Sequence, residues 1–161
     1  DWSSDVCSSD LPEKFIPATI QKVRDGEKVI IHADPTRTRA GTRMYIHAKD
    51  VAEGLMFILQ QLPAGYKHTG DYGHAHCPKF NLVGTEEIDN LTLAQMIADA
   101  QGRELIYEMT DFHTSRPGHD LRYALDGGLL ASLGWEPGIK LSERIQDMVK
   151  WTLENDRWLR K

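Results

Sequence analysis

The chain contains the segment Arg116-Pro117-Gly118-His119-Asp120-Leu121-Arg122-Tyr123-Ala124-Leu125-Asp126, in which two arginines and a histidine surround a Pro-Gly turn that leads into a short predicted strand. Guanidinium groups form forked, charge-assisted hydrogen bonds with phosphate, and a turn lets backbone N–H groups join them. The segment therefore predicts an anion-binding loop. Taken alone, an Arg-Pro-Gly turn is more often a plain surface loop with solvated arginines.

Around this loop the chain alternates short strand and helix patterns, which predicts a mixed α/β fold. Helices are predicted over 15–23, 51–61, 92–101 and 126–133, and from Ser142 onwards. Strands are predicted over 29–31, 44–47, 80–83 and 105–109. Asp50 is predicted to cap the helix over 51–61, and Thr92 with Gln95 has the spacing of a capping box. Apolar residues cover more than one stripe of the helix over 51–61, so it should be buried on two sides.

Together with Gly134-Trp135-Glu136-Pro137, the segment 116–126 resembles the C-terminal half of the nucleotide-sugar dehydratases, above all those acting on dTDP-glucose, in the extended short-chain dehydrogenase/reductase superfamily. In that family the NAD-binding Rossmann half, the catalytic Tyr-x-x-x-Lys and the acid/base residues precede a Pro-Glu-Lys segment, found here at 12–14. No Gly-x-Gly-x-x-Gly occurs in the sequence. The resemblance implies a C-terminal fragment in which residues 11–161 form the nucleotide-sugar-binding region and the Rossmann half is missing.

The resemblance also implies the residues that hold the substrate diphosphate. Arg43 and Arg116 resemble the family's diphosphate-binding arginines, and Arg43 lies in a run similar to the family's Arg-Asp-Trp-x-Tyr-Val-x-Asp-Val. Asn90 stands at an Asn-Leu position that leads a helix, where its amide would donate to the same phosphates. A role as a helix cap explains Asn90 equally well.

Five further residues are implied to contact the rest of the nucleotide sugar. Glu13 and Lys14 resemble the family's substrate-contacting Glu-Lys pair, and His119 would meet the ribose or the phosphate. Ile30 and His32 lie near the strand that flanks the base, where they could pack against thymine. For Ile30, simple burial in the core is at least as good an interpretation.

The segment Tyr45-Ile46-His47-Ala48-Lys49 satisfies Tyr-x-x-x-Lys. On a helix this spacing would place both side chains on one face. Tyr45 lies in a β-favouring run, however, where residues four apart are about 13 Å distant. We therefore assign no catalytic residue to this chain.

Metal-capable side chains cluster in a glycine-rich loop at His68, His74, His76 and Cys77. Such close spacings seldom converge into a tetrahedral site without a partner from elsewhere, and the sequence has no Cys-x-x-Cys. A solvated loop is the preferred interpretation, and no metal ligand is assigned.

The first ten residues, Asp1-Trp2-Ser3-Ser4-Asp5-Val6-Cys7-Ser8-Ser9-Asp10, have no apolar periodicity and match the translation of a sequencing-library adapter. We interpret them as an artefactual, disordered leader. Without its three aspartates the formal charge of -5 becomes about -2, which does not suggest a nucleic-acid or membrane surface. Cys77 then has no expected disulfide partner, which favours a reducing, cytoplasmic environment.

These observations predict part of an NAD-dependent nucleotide-sugar 4,6-dehydratase whose partner is a nucleoside-diphosphate sugar. A nucleotide-sugar epimerase of the same superfamily is the nearest alternative. A free-standing, non-catalytic sugar-nucleotide-binding module is an alternative of another class. The family commonly forms homodimers through the missing half, so the parent protein is expected to be a homodimer.

Overall fold

A computed structural model describes residues 14–61, 79–111 and 120–159, and the backbone of 68–69 and 75–76. Three predicted site residues, Glu13, Arg116 and His119, lie outside the described residues, as do His74, Cys77 and the first ten residues. The helices are α1 (Phe15–Asp25), α2 (Ala48–Gln61), α3 (Asn90–Ala100), α4 (Gly128–Ser132) and α5 (Leu141–Glu154), followed by a 3-10 turn (Asp156–Leu159). The strands are β1 (Val29–Ala33), β2 (Thr42–Arg43), β3 (His68–Thr69), β4 (Ala75–His76), β5 (Ile88–Asp89), β6 (Tyr107–Asp111) and β7 (Arg122–Tyr123).

The described strands form three small sheets. Strands β1 and β6 pair in parallel, from Val29 opposite Tyr107 to Ala33 opposite Asp111. Strand β2 lies between β5, to which it is antiparallel, and β7, to which it is parallel. Strands β3 and β4 pair with each other. The mixed α/β fold predicted from the sequence is confirmed, and the strand predicted after the Pro-Gly turn is β7.

The core lies between the helices and the β1–β6 sheet. One apolar cluster is built mainly from α1, α3 and α5, and it includes Ile20, Leu93, Ile97, Ile145 and Val149. A second cluster joins α1, β1 and α3 through Val23, Val29, Ile31, Ala94 and Ala98. The helix predicted from Ser142 onwards is confirmed as α5, and its residues Ile145, Val149 and Thr152 are buried.

Two predicted strands are absent from the part of the chain that the structure describes. Residues 44–47 and 80–83 have no ladder pairing. The second segment instead passes against the first, since a Cβ on Gly84 would collide with the carbonyl of Tyr45. Asn81 Nδ2 also donates to the carbonyl of Asp126 at 2.8 Å. Packing and side-chain hydrogen bonds therefore hold these two segments, which lack the sheet pairing that was predicted for them.

The helix caps also differ from the predicted ones. Helix α2 begins at Ala48, so Asp50 lies within its first turn, and the backbone N–H of Lys49 donates to His47 Nδ1 at 3.1 Å. Helix α3 is capped by Asp89, whose carboxylate accepts from the backbone N–H groups of Leu91 and Thr92. Both helices begin earlier than predicted because a neighbouring side chain satisfies their first N–H groups.

Helix α2 is only partly buried. Its buried residues are Asp50 and Gly54, and Gly54 packs so closely on Leu82 and Trp135 that a Cβ would lie 2.8 Å from Trp135 Cζ2. On the same helix Leu55, Met56 and Leu59 are 50%, 51% and 76% exposed. The described residues therefore bury one face of α2 and leave a second, apolar face exposed. Among them, no helix is long and apolar enough to cross a membrane.

Candidate anion-binding site

Strand β2, the connection that precedes it and the start of α3 meet at Gly41. The N–H of Gly41 donates to the carbonyl of His32 at 3.1 Å, and its carbonyl accepts from the N–H of Asn90 at 2.8 Å. A Cβ at Gly41 would lie 3.6 Å from Arg43 Nη1 and 3.8 Å from Asn90 Nδ2. Gly41 thus forms a floor between these two nitrogens and the carbonyl oxygen of Leu121, which is the nearest atom at 3.1 Å. We call Gly41, Arg43 and Asn90 the Gly41 cluster.

Arg43 is half-buried and held on two sides. Its Nη1 donates to the carbonyl of Thr42 at 2.7 Å and to that of Leu121 at 3.2 Å. Its guanidinium lies over the ring of Tyr123, 4.2 Å from the centroid, which is a cation–π arrangement. Within the described part of the chain both bonds use Nη1, so Nε and Nη2 can donate to an anion.

Asn90 is buried and is the first residue of α3. Its Oδ1 accepts a hydrogen bond from the hydroxyl of Tyr45 at 2.6 Å. The helix cap is Asp89, so the alternative interpretation of Asn90 as the cap is wrong. Asn90 Nδ2 lies 3.8 Å from the place of a Cβ on Gly41, and its role as a phosphate donor stays a prediction.

The second arginine of the predicted loop has a different role. Arg122 Nε and Nη2 each donate to the Glu87 carboxylate at 2.8 Å, and Thr42 Oγ1 donates to Glu87 Oε1 at 2.5 Å. The bond from Arg122 and that from Thr42 lower the pKa of Glu87. Glu87 therefore neutralises Arg122 and joins β5, β2 and β7. Sequence reasoning missed it, because no local motif marks a carboxylate that pairs 35 residues away.

The other predicted site residues that the structure describes lie just before α1 and on β1. Lys14 is the residue preceding α1 and has an extended backbone. Ile30 is 37% exposed and its neighbours Val29 and Ile31 are buried, so the interpretation of Ile30 as a core residue is wrong. His32 lies on the same face of β1 as Ile30, since side chains alternate along a strand. Its carbonyl joins β1 to the Gly41 cluster.

The Tyr-x-x-x-Lys match does not form a helical pair. Tyr45 precedes α2, is buried and donates to Asn90, whereas Lys49 lies in the first turn of α2 and is exposed. The rejection of Tyr45 as a catalytic base is consistent with this arrangement.

A second ionic group lies apart from the cluster, between α2 and α5. Arg144 Nη2 donates to Asp50 Oδ1 at 2.7 Å and approaches Glu53 Oε1 at 3.9 Å. Burial, and to a lesser extent the charge of Arg144, lower the pKa of His47. This group is a structural connection between two helices.

The histidine-rich loop is described only in part. Strands β3 and β4 place the backbones of His68 and His76 opposite each other. Among the described residues, no three His, Cys, Asp or Glu side chains are placed to hold a metal ion. His74 and Cys77 lie outside that part of the chain, so the interpretation as a solvated loop stays a prediction.

Solved structures of other proteins show the class of fold. No protein-family model matches the chain. The solved dTDP-glucose 4,6-dehydratase from Bacillus anthracis, a complex with NAD, matches with a TM-score of 0.70 at 23% identity, over 92% of this chain and 41% of that chain. The UDP-glucose 4-epimerase complex with NAD from Thermus thermophilus matches with a TM-score of 0.66 at 22% identity, over 85% and 39%. The fold is that of the C-terminal part of the extended short-chain dehydrogenases/reductases.

Sequence similarity then narrows the class. The dTDP-glucose 4,6-dehydratase of Xanthomonas campestris pv. campestris is 29% identical over 160 residues, which cover 92% of this chain and 40% of that protein. The chain is thus a homologue of the dTDP-glucose 4,6-dehydratases, as the sequence motifs predicted. The chain spans about 40% of the length of the curated relatives that it matches. Further solved neighbours hold UDP-glucuronic acid or UDP-glucose.

Proposed function

We propose that residues 11–161 supply the sugar-nucleotide-binding side of the cleft of an NAD-dependent nucleotide-sugar 4,6-dehydratase with dTDP-glucose as its substrate. The observation that carries this proposal is the Gly41 cluster, where Arg43 Nη1 and Asn90 Nδ2 lie 3.6 and 3.8 Å from the place that a Cβ on Gly41 would take. Homology to the dTDP-glucose 4,6-dehydratases supports it.

The cluster has the chemistry to bind a diphosphate. Arg43 offers a forked, charged donor, and its contact with Tyr123 restricts the guanidinium before any ligand arrives. Asn90 adds a neutral donor from a buried position. Because both groups are fixed by other contacts, little side-chain entropy is lost when an anion binds. Arg116 and His119 would complete the phosphate contacts, while Glu13, Lys14, Ile30 and His32 would contact the sugar and the base.

NAD is the cofactor we assign to the parent enzyme. The described residues do not fit it, because a dinucleotide site needs a glycine-rich turn between a strand and a helix, and the sequence has no Gly-x-Gly-x-x-Gly. We therefore assign no part of NAD binding to these residues. The role that we propose for this chain is to bind and orient the sugar nucleotide. The exposed apolar face of α2, formed by Leu55, Met56 and Leu59, supports the proposal that the Rossmann half packs there.

An epimerase of the same superfamily is the second candidate. It is favoured by the TM-score of the UDP-glucose 4-epimerase, which is close to that of the dehydratase. A preference of the chain for dTDP over UDP would favour the dehydratase, and the reverse preference would favour the epimerase.

The experiment is a titration of the 161-residue chain with dTDP-glucose, UDP-glucose and inorganic pyrophosphate, followed by two-dimensional NMR of backbone and side-chain amides. We expect weak binding, with shifts centred on Gly41 and Asn90. Arg43→Ala should weaken pyrophosphate binding by at least about tenfold, because a charge-assisted donor is lost. Arg24→Ala is the matched control, since Arg24 pairs with Asp25 on the surface of α1.

Three outcomes would count against the proposal. Absence of any shift with all three ligands would remove the binding function. Equal losses in the Arg43 and Arg24 variants would show that the anion senses only net charge. Tight binding with no requirement for a further domain would instead favour the free-standing binding module.

A further inference from the structure

In the part of the chain that the structure describes, one side chain forms a hydrogen bond with the Asn90 amide, and it is that of Tyr45. Its hydroxyl lies 2.6 Å from Asn90 Oδ1, and the two residues are 9% and 8% exposed. The backbone on both sides is fixed as well. Gly84 packs directly on the carbonyl of Tyr45, and the N–H of Asn90 donates to the carbonyl of Gly41 at 2.8 Å.

An asparagine amide has two ends of opposite polarity, and only the NH₂ end can donate to an anion. With Oδ1 bound to the Tyr45 hydroxyl, Nδ2 is the end that lies 3.8 Å from the place of a Cβ on Gly41. If the amide were rotated by half a turn, its oxygen would instead face Gly41. That oxygen would repel a phosphate.

We propose that Tyr45 is a positioning residue, which holds the Asn90 amide with its NH₂ group directed into the Gly41 cluster and so sets the cluster to accept an anion. The inference rests on the proposed function only for the identity of the anion as a diphosphate. The bond is buried, so water competes little with it and its orienting effect is strong.

The first test needs no ligand. In the free 161-residue chain, the two Asn90 side-chain amide protons should give one sharp pair of signals, because a single orientation is populated. In Tyr45→Phe the hydroxyl is gone and the ring is kept, so we expect this pair to broaden or double. Tyr107→Phe is the matched control, because Tyr107 is 46% exposed on β6 and should leave the Asn90 signals unchanged. Unchanged Asn90 signals in Tyr45→Phe would overturn the proposal.

The second test uses inorganic pyrophosphate in a double-mutant cycle. Tyr45→Phe should weaken pyrophosphate binding by about twofold to tenfold, the effect of one hydrogen bond. In an Asn90→Ala background the same change should have no further effect, because Tyr45 acts through Asn90. A purely structural role would lower the melting temperature and leave the affinity unchanged in both backgrounds, which would refute the positioning role.

The two proposals fail in different ways. If the unmodified chain does not bind pyrophosphate or nucleotide, the proposed function fails, and the signals of the free chain still decide whether Tyr45 orients Asn90. If Tyr45→Phe does not fold, the unmodified chain carries the test. The Asn90 amide protons must then shift on addition of pyrophosphate, and their failure to move while Arg43 responds would contradict the orientation inferred here.

Discussion

Asp50 and Arg144 form a buried ion pair between the first turn of α2 and the first half of α5, with Oδ1 and Nη2 2.7 Å apart, although the two residues are 94 positions apart in sequence. The two residues are 2% and 7% exposed. Arg144 Nε has no partner among the described residues, so Asp50 supplies much of the compensation for burying this charge. The pair therefore couples the helix that follows the Gly41 cluster to the main apolar core.

Removal of one partner should be strongly destabilising, because it leaves an uncompensated buried charge. We expect Asp50→Ala to lower the free energy of unfolding by about 3–5 kcal/mol, and Asp50→Ala with Arg144→Met to recover a large part of that loss. Urea denaturation followed by circular dichroism measures both. The surface pair Arg24 and Asp25 is the control, where removal of the carboxylate should have little effect on the free energy of unfolding. Equal losses at the two pairs would contradict the buried role.

His47, which lies beside the Asp50–Arg144 pair, should make the stability of the chain depend on pH. His47 accepts a hydrogen bond at Nδ1 from the N–H of Lys49, and its pKa is lowered from 6.5, mainly by burial and secondly by Arg144. The unfolded chain therefore takes up a proton at His47 before the folded chain does. This contribution to stability is fully present above about pH 6.5 and is lost as the pH falls towards the folded pKa.

The variant that isolates this effect is His47→Asn, since an asparagine oxygen can accept from the Lys49 N–H and does not titrate. Unfolding free energies measured from pH 8 to pH 5 should fall more steeply in the unmodified chain than in the variant. The difference between the two curves removes the other histidines, which are present in both. Parallel curves would show that His47 does not contribute to the pH dependence.

The helices, which depend on local sequence, were predicted correctly, whereas features that depend on distant partners were not. Periodicity predicted the helices because their apolar stripes face the core, as at Ile145 and Val149. Local rules failed where a distant partner decided the outcome. Asp50 has the sequence of a helix cap, yet its partner Arg144 comes from α5, and Glu87 has no local signature at all. The phosphate-binding role of Arg43 and Asn90 was implied by a resemblance and not by spacing, and it stays a prediction.

A substitution at Gly41 tests the Gly41 cluster by adding bulk without changing its charge. A Cβ there would lie 3.1 Å from the carbonyl of Leu121 and between Arg43 and Asn90. Gly41→Ala should therefore weaken pyrophosphate binding by at least about tenfold, because a methyl group occupies the space of the anion and strains its floor. Gly138→Ala is the matched control, since no atom lies within 4 Å of its added Cβ. NMR titration of both variants gives the two affinities, and equal affinities would exclude Gly41 as the floor of the site.

The apolar face of α2 makes a prediction about association. Leu55 and Leu59 are 50% and 76% exposed, one helical turn apart, so they form a continuous patch on the surface. Leu55→Lys with Leu59→Lys should reduce self-association of the chain and change its unfolding free energy by less than about 0.5 kcal/mol, because exposed side chains contribute little to folding. Sedimentation velocity over a range of concentrations measures the association. Ile139→Lys is the control, because Ile139 is exposed to 38% outside α2, and an equal effect of that change would show that the patch on α2 has no special tendency to bind protein.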